Sequence, residues 1–261
     1  MQQVLKYPGS KQRIAGWIIS QMPQHHSYLE PFLGSGAVLL NKPKSAIETV
    51  NDLDLDVVTL FRLIRERPEE LARCLYATPY SRHEYEGALI QADDELEQVR
   101  RFLVRCWQGH GFKTNGKKVG WKNDVQGREA AYAVRNWNRL PGRVMEVVER
   151  LKDVQIEQRP AVELIRRFNH KGVLIYADPP YLLQTRSGAM YKYEMTDQDH
   201  IELLEALLQH KGSVMLSGYD NPLYREYLRG WHTESIKSAT EYGSPRTETL
   251  WMNFETQLRL E

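Results

Sequence analysis

The stretch Tyr28-Leu-Glu-Pro-Phe-Leu-Gly-Ser-Gly36-Ala-Val-Leu-Leu40 decides the fold class. An apolar start, a turn with two glycines and a second apolar run are typical of a strand, a glycine turn and a helix in succession. Glycine lets the backbone pass close to a ligand, and the start of the helix beyond it offers free N–H groups. The stretch therefore predicts a strand-to-helix turn that can hold a ligand.

The residues after this turn continue the same alternation of strand and helix. A strand is predicted at Ser45–Val50, ending at Asn51-Asp52. A helix follows, because apolar residues recur at helical spacing in Val57, Val58, Leu60, Phe61 and Ile64. Together these segments predict the β-α-β-α opening of a parallel sheet.

Strand signals return only near the C-terminal end. Continuous apolar runs predict strands at Gly172–Ala177, Ser213–Ser217 and Thr247–Phe254, with a helix at Gln198–His210. Between residues 67 and 159 we predict helices over 99–106, 130–137 and 143–151, and a loop or hairpin over 109–125. The chain therefore reads as one α/β domain, residues 1–66 and 160–261, with a mostly helical insertion at 67–159.

Composition excludes several classes of protein. The chain has 261 residues, 41% hydrophobic and 26% charged, close to the globular average. Two cysteines need not pair, and no apolar run approaches the roughly 18 residues that span a bilayer. The histidines have no metal-ligand spacing, so no metal is expected. We expect a soluble, intracellular protein.

Charge is divided between two blocks. The chain holds 35 Lys and Arg against 34 Asp and Glu, but residues 46–99 carry 13 acids and 5 bases, and residues 101–145 carry 10 bases and 2 acids. Aromatic residues and glycines are interleaved in the basic block. Such a block is typical of a surface that contacts phosphates, although a solvated basic face has the same composition.

Asp178-Pro-Pro-Tyr181 is the most specific motif of the chain. It follows a buried strand at the carboxyl edge of the predicted sheet, where open α/β folds bind ligands. Two prolines fix the backbone and withhold two N–H donors, so the loop offers a carboxylate, a carbonyl and an aromatic face. A planar exocyclic amine needs that set of groups for its recognition. The alternative interpretation of the motif is a simple turn after a strand.

Asp52, about 20 residues beyond the glycine turn, can accept hydrogen bonds from a ribose diol. The full dinucleotide fingerprint is absent, which argues against NAD.

Three motifs in this order resemble those of the Dam-like (D12 class) N6-adenine DNA methyltransferases: Lys6-Tyr-Pro-Gly-Ser-Lys11, Glu30–Gly36 and Asp178–Tyr181. The long insertion before the last motif matches the group whose target recognition domain separates the cofactor half from the catalytic half. The resemblance covers residues 5–66 and 172–254. It implies a Rossmann-like S-adenosylmethionine-dependent methyltransferase sheet, with residues 67–159 as the target recognition domain.

The resemblance also implies roles for single residues. Lys11 would pair with the methionine carboxylate of S-adenosylmethionine, Asp52 would hold its ribose, and Tyr181 would stack on the adenine. Tyr7 stands where the family often has Trp, so the aromatic character is kept. The implied cofactor-binding residues are Tyr7, Lys11, Phe32, Gly34, Gly36, Asp52 and Asp178. The implied catalytic residues are Asp178, Pro179, Pro180 and Tyr181, acting without a metal.

The partner implied by the resemblance is double-stranded DNA, from which the adenine would be flipped out. The candidate DNA-binding residues are Lys113, Lys117, Lys118, Lys122, Arg128 and Arg135. Two alternatives remain at this stage: an RNA adenine N6-methyltransferase, since ribosomal enzymes share the Asp-Pro-Pro-Tyr chemistry, and a non-catalytic DNA-binding protein that keeps the fold. The expected location is the cytoplasm of a bacterium, with the enzyme encoded by the host or by a phage.

Overall fold

A computed structural model of the chain describes residues 1–125, 131–186, 188–239 and 245–255. The strands are β1 (Ser27–Glu30), β2 (Ile47–Asn51), β3 (Val154–Glu157), β4 (Val173–Ala177), β5 (Ser213–Gly218), β6 (His232–Ala239) and β7 (Pro245–Met252). The helices are α1 (Ala15–Ser20), α2 (Ala37–Asn41), α3 (Leu55–Glu66), α4 (Pro68–Ala77), α5 (Arg82–Gly87), α6 (Glu95–Gln108), α7 (Tyr132–Asn138), α8 (Leu140–Leu151), α9 (Ala161–Arg167), α10 (Asp197–Leu208) and α11 (Pro222–Tyr227).

The strands form one mixed sheet in the order β3-β2-β1-β4-β5-β7-β6. Strands β1 to β5 run parallel, whereas β7 pairs antiparallel with both β5 and β6. All five residues of β4 are buried, as expected of a central parallel strand with helices on both faces. Leu174 and Tyr176 face the core on one side of the sheet, while Ile175 and Ala177 face the core beneath α9, α10 and α11. The predicted α/β fold class is confirmed.

Two strands were not predicted from the sequence. Strand β3 lies inside the predicted insertion and pairs parallel with β2, so it belongs to the central sheet. It is a four-residue edge strand with a single buried residue. Such a strand is too short and too polar for the alternation of apolar and polar residues to be recognised in the sequence. Strand β6 is the other edge, and its residues alternate between half-buried and exposed over His232–Lys237.

The helices between α3 and β3 pack onto the sheet domain. Helices α6 and α8 contact α3, and α4 packs along α8. Phe61 of α3, Phe102 of α6 and Trp137 of α7 lie in the same buried cluster as Tyr28 of β1. The helical region therefore shares a hydrophobic core with the sheet. A catalytic domain of residues 1–66 and 160–261 with a recognition domain of residues 67–159 stays a prediction.

Candidate active site

The three motifs meet at the carboxyl edge of the parallel strands. The glycine turn follows β1, Asp52 follows β2 and Asp178 follows β4. Strand order reverses between β1 and β4, and open α/β sheets bind ligands at such a switch point. A cavity of about 480 Å³ opens there. Seven of the predicted site residues line it: Tyr7, Lys11, Phe32, Gly34, Asp52, Asp178 and Pro180.

The two glycines of the turn have different surroundings. Gly34 has a positive φ of 49°, and a Cβ atom there would lie 3.2 Å from Cδ1 of Tyr7. Gly36 has a φ of 65°, and a Cβ atom there would lie 3.0 Å from Cζ of Phe61 in helix α3. Gly34 therefore lets the backbone pass against the aromatic wall of the cavity. Gly36, which does not line the cavity, lets the start of α2 lie close to the Phe61 ring.

The Asp52 carboxylate accepts hydrogen bonds from both the glycine turn and the residue before α3. Its Oδ2 accepts a hydrogen bond from the Gly34 N–H at 2.8 Å, and its Oδ1 accepts one from the Asp54 N–H at 2.9 Å. Burial is the main cause that raises the pKa of Asp52 to about 6. Asp52 is therefore a half-buried acceptor that is ionised at neutral pH and lines the cavity.

Both carboxylate oxygens of Asp178 have partners in the structure. The Lys11 Nζ lies 2.9 Å from Oδ2, and the Tyr181 hydroxyl donates to Oδ1 at 3.1 Å. Burial lowers the pKa of Lys11, but the nearby carboxylates of Asp178 and Glu248 outweigh burial and raise it, so Lys11 is charged. Pro179 is buried beside Asp178. Tyr181 and Pro179 adjoin the cavity without being among the residues that line it.

Sequence reasoning missed three residues of this site. Glu248, in β7, is buried and accepts a hydrogen bond from the Tyr181 hydroxyl. Tyr191 lines the cavity and donates to the Pro8 carbonyl at 3.2 Å. Glu30 lines it too, and burial raises its pKa to about 8. Glu30 ends strand β1 directly before the glycine turn, and an acid inside the buried strand β7 is itself a signal. Nothing in the sequence singles out Tyr191.

Three of the four predicted DNA-binding lysines lie at a second cavity, of about 410 Å³. Lys113, Lys117 and Lys118 line it. The loop that carries them is joined to the segment after Tyr181, because the Thr114 N–H donates to the Met190 carbonyl at 2.8 Å. The structure thus places the lysine loop next to the candidate active site.

Not all bases of the basic block are free to meet a phosphate. Arg101 pairs with Glu97 at 2.6 Å and Arg105 with Asp56 at 3.2 Å, while Arg143 is buried over the ring of Trp107. In contrast, no ion pair within the described part of the chain engages the side chains of Lys113, Lys117, Lys118, Lys122 and Arg135. Arg128 lies outside the described residues. The charge count of the block therefore overstated its surface charge.

Residues 1–125, 131–186, 188–239 and 245–255 contain neither a candidate metal site nor a candidate membrane-spanning helix. No group of three or more His, Cys, Asp or Glu side chains in these ranges is arranged to hold a metal ion. No helix in them is both long enough and apolar enough to cross a membrane.

Comparison with known proteins agrees with the geometry. Residues 7–242 match the model of the D12 class N6 adenine-specific DNA methyltransferases. The type II methyltransferase M1.LlaDCHI of Lactococcus lactis subsp. cremoris is 26% identical over 258 residues, covering 92% of this chain and 88% of the relative. DNA adenine methylases of Salmonella typhi and Escherichia coli (strain K12) are 24% and 23% identical, each covering 86% of this chain and 83% of the relative.

The family match spans both the cofactor motifs and the Asp-Pro-Pro-Tyr motif, so the resemblance predicted from the sequence is confirmed. Methyltransferases of this family use S-adenosylmethionine as methyl donor and DNA as substrate. The chain belongs to the D12 class of N6 adenine-specific DNA methyltransferases, the enzymes that methylate adenine N6 in DNA.

Proposed function

We propose that the chain methylates an adenine that is flipped out of double-stranded DNA at a specific sequence, and that the cavity of about 480 Å³ holds S-adenosylmethionine. One observation carries this proposal. Asp178 lines the same cavity as the glycine turn and Asp52, so an acceptor for an amino group stands beside a pocket suited to a nucleoside. Its side chain is 18% exposed and can be reached by a substrate.

The residues around the cavity fit the cofactor. Ligand pockets of this size are mostly apolar with a few placed polar groups. Here Tyr7 and Phe32 supply apolar walls, Asp52 supplies acceptors for ribose hydroxyls, and Lys11 is the cation for a carboxylate. When bound, S-adenosylmethionine supplies a methyl group on a positively charged sulfur atom, already activated for transfer.

Asp178 and Pro179 would prepare the adenine. The lone pair of N6 is delocalised into the ring, so the amino group is a poor nucleophile. Hydrogen bonds from its two N–H groups to the Asp178 carboxylate and the Pro179 carbonyl would localise that lone pair. The carboxylate would also stabilise positive charge as it develops on nitrogen, an effect of about 3 kcal/mol for one such group. The proton can leave N6 after the transfer.

Tyr181 and the basic loop would provide the energy for base flipping. Extruding a base costs a few kcal/mol, and stacking on an aromatic ring returns about 1–3 kcal/mol. Lys113, Lys117, Lys118 and Lys122, with Arg135, are the cations available for DNA phosphates. Arg128 is proposed with them from the sequence alone. Phosphate contacts position the duplex, whereas contacts with base edges select the sequence.

Transfer of labelled methyl groups in parallel reactions tests the substrate. We expect the enzyme to label duplex DNA and to leave ribosomal RNA unlabelled, because the basic loop and the site together suit a flipped-out base of a duplex. Mass spectrometry of the digested DNA should find N6-methyladenine. Labelling of ribosomal RNA in preference to DNA would overturn the proposal.

Cofactor affinity is expected to fall at acid pH. Above about pH 6 the Asp52 carboxylate is ionised and accepts ribose hydroxyls, whereas below it the carboxyl group is protonated and loses that capacity. We expect the Kd for S-adenosylhomocysteine, measured by calorimetry, to rise about tenfold between about pH 7 and pH 5. Glu30, with a pKa of about 8, stays mostly protonated over that range.

The Asp52→Asn variant is the control for this assignment. Its affinity should already be weak at neutral pH and should change little on acidification. A Kd that rises equally in the wild type and in the variant would show that another group is responsible.

A further inference from the structure

Glu248 belongs to the site but contacts neither the proposed cofactor nor the proposed adenine position. It stands in β7 and its side chain is only 6% exposed. Its Oε1 accepts the Tyr181 hydroxyl and lies 3.6 Å from the Lys11 Nζ. The same two groups contact Asp178, so two carboxylates share one phenol and one ammonium group.

The Tyr181 hydroxyl has one proton and two acceptors. When it donates to Asp178, it takes one acceptor site of Oδ1 and so competes with an amino group for that oxygen. When it donates to Glu248, that oxygen is available. The ring cannot turn away freely, because it packs edge-on against Tyr219 with centroids 4.7 Å apart. The choice of acceptor therefore decides whether the Tyr181 hydroxyl competes with the substrate for Oδ1 of Asp178.

We propose that Glu248 is a positioning residue that holds the Tyr181 hydroxyl away from Asp178, so that Asp178 can accept the amino group of the adenine. This inference rests on the proposed role of Asp178. Glu248 acts on the substrate only through Tyr181. It also gives Lys11 a second counter-ion when Asp178 turns to the base.

Substitution of Glu248 with methionine removes the acceptor and keeps a side chain of similar length. We expect kcat for DNA methylation at saturating substrates to fall about tenfold. The Tyr181 hydroxyl then hydrogen-bonds to Asp178 instead, and the free energy of that one hydrogen bond must be overcome before the amino group can bind. The Kd for S-adenosylhomocysteine should stay within about twofold of the wild-type value. The hydrogen bond that is lost joins Tyr181 and Glu248 and does not involve the cofactor. Glu248→Gln keeps one acceptor oxygen, so its kcat should be intermediate between that of the wild type and that of Glu248→Met.

The decisive variant is the double substitution Glu248→Met with Tyr181→Phe. Without the hydroxyl no phenol competes for Oδ1 of Asp178. The kcat of the double variant should therefore recover to within about threefold of the kcat of Tyr181→Phe alone, the difference expected from one net hydrogen bond. A residue that served packing alone would give no such recovery. Glu234→Gln in the neighbouring strand β6 is the matched control, since its half-exposed side chain pairs with His232 outside the site.

The outcomes separate this inference from the proposed function. If Asp178→Ala is inactive but Glu248→Met matches the wild type, or the double variant stays as slow as Glu248→Met, the role of Glu248 is wrong. If Asp178→Ala keeps full activity, the proposed function itself fails. Should Glu248→Met not bind S-adenosylhomocysteine, the same comparison with Tyr181→Phe is made in Glu248→Gln, where recovery is again required.

Discussion

Replacement of Asp178 by alanine is expected to lower methyl transfer to DNA by about 1,000-fold, the upper range for loss of one preorganised polar group. Asp178 supplies the carboxylate that would accept the amino group and stabilise the charge that develops on it. Lys11 would lose its closest carboxylate but keep Glu248, so the cavity should still bind S-adenosylhomocysteine. The measurement is tritium transfer to DNA, with cofactor affinity determined by calorimetry on the same preparation.

The control for this prediction is an acid at the opposite edge of the sheet. Asp153 precedes β3, and its side chain is 76% exposed and pairs with Lys44. Asp153→Ala should transfer methyl groups at the wild-type rate. Transfer by Asp178→Ala at a rate comparable to that of this control would mean that the Asp-Pro-Pro-Tyr motif is a strand-end turn and no more.

Joint replacement of Lys113, Lys117, Lys118 and Lys122 by alanine is expected to weaken duplex binding about 100-fold at about 0.1 M salt. Each lysine that contacts a phosphate releases counterions, so the slope of log affinity against log salt should fall by about 1 for each lost contact. Fluorescence anisotropy of a labelled duplex over a salt series measures both quantities. At saturating DNA the methylation rate should change far less than the affinity.

Four other lysines provide a matched control with the same change in net charge. Lys44, Lys152, Lys171 and Lys211 are exposed and precede β2, β3, β4 and β5, at the edge of the sheet away from the site. Their joint replacement should leave the salt slope unchanged. Equal losses in the two quadruple variants would indicate a general effect of net charge instead of a DNA-binding loop.

Sequence was sufficient where function is carried by neighbouring residues at strand ends. The Asp178–Tyr181 motif stands directly after β4, Gly34 lies in the turn that follows β1, and parallel strands bring their carboxyl ends to one edge. Glu248 lies 67 residues from Tyr181, and its partners are set by the antiparallel pairing of β7 with β5. No spacing of residues along the sequence predicts such a contact.

The sequence of the basic block, residues 101–145, likewise does not predict which of its charges remain unpaired in the fold. Counting charges along the chain cannot tell which cations pair within the fold. Arg101 lies one helical turn from Glu97, a pairing the sequence itself permits, but Arg105 meets Asp56 from a different helix. Lys113, Lys117, Lys118 and Lys122 of the loop, with Arg135 of α7, have no ion pair within the described part of the chain and are left for a phosphate. Tertiary packing thus turns a block of ten bases into a smaller, localised patch.

The most direct test of the account is a crystal structure of the enzyme with S-adenosylhomocysteine and a duplex carrying the sequence found methylated in DNA from expressing cells. We predict an adenine outside the duplex, stacked on Tyr181, with N6 within about 3 Å of an Asp178 carboxylate oxygen and of the Pro179 carbonyl. An adenine that stays paired, or an extruded base whose amino group points away from Asp178, would contradict the account.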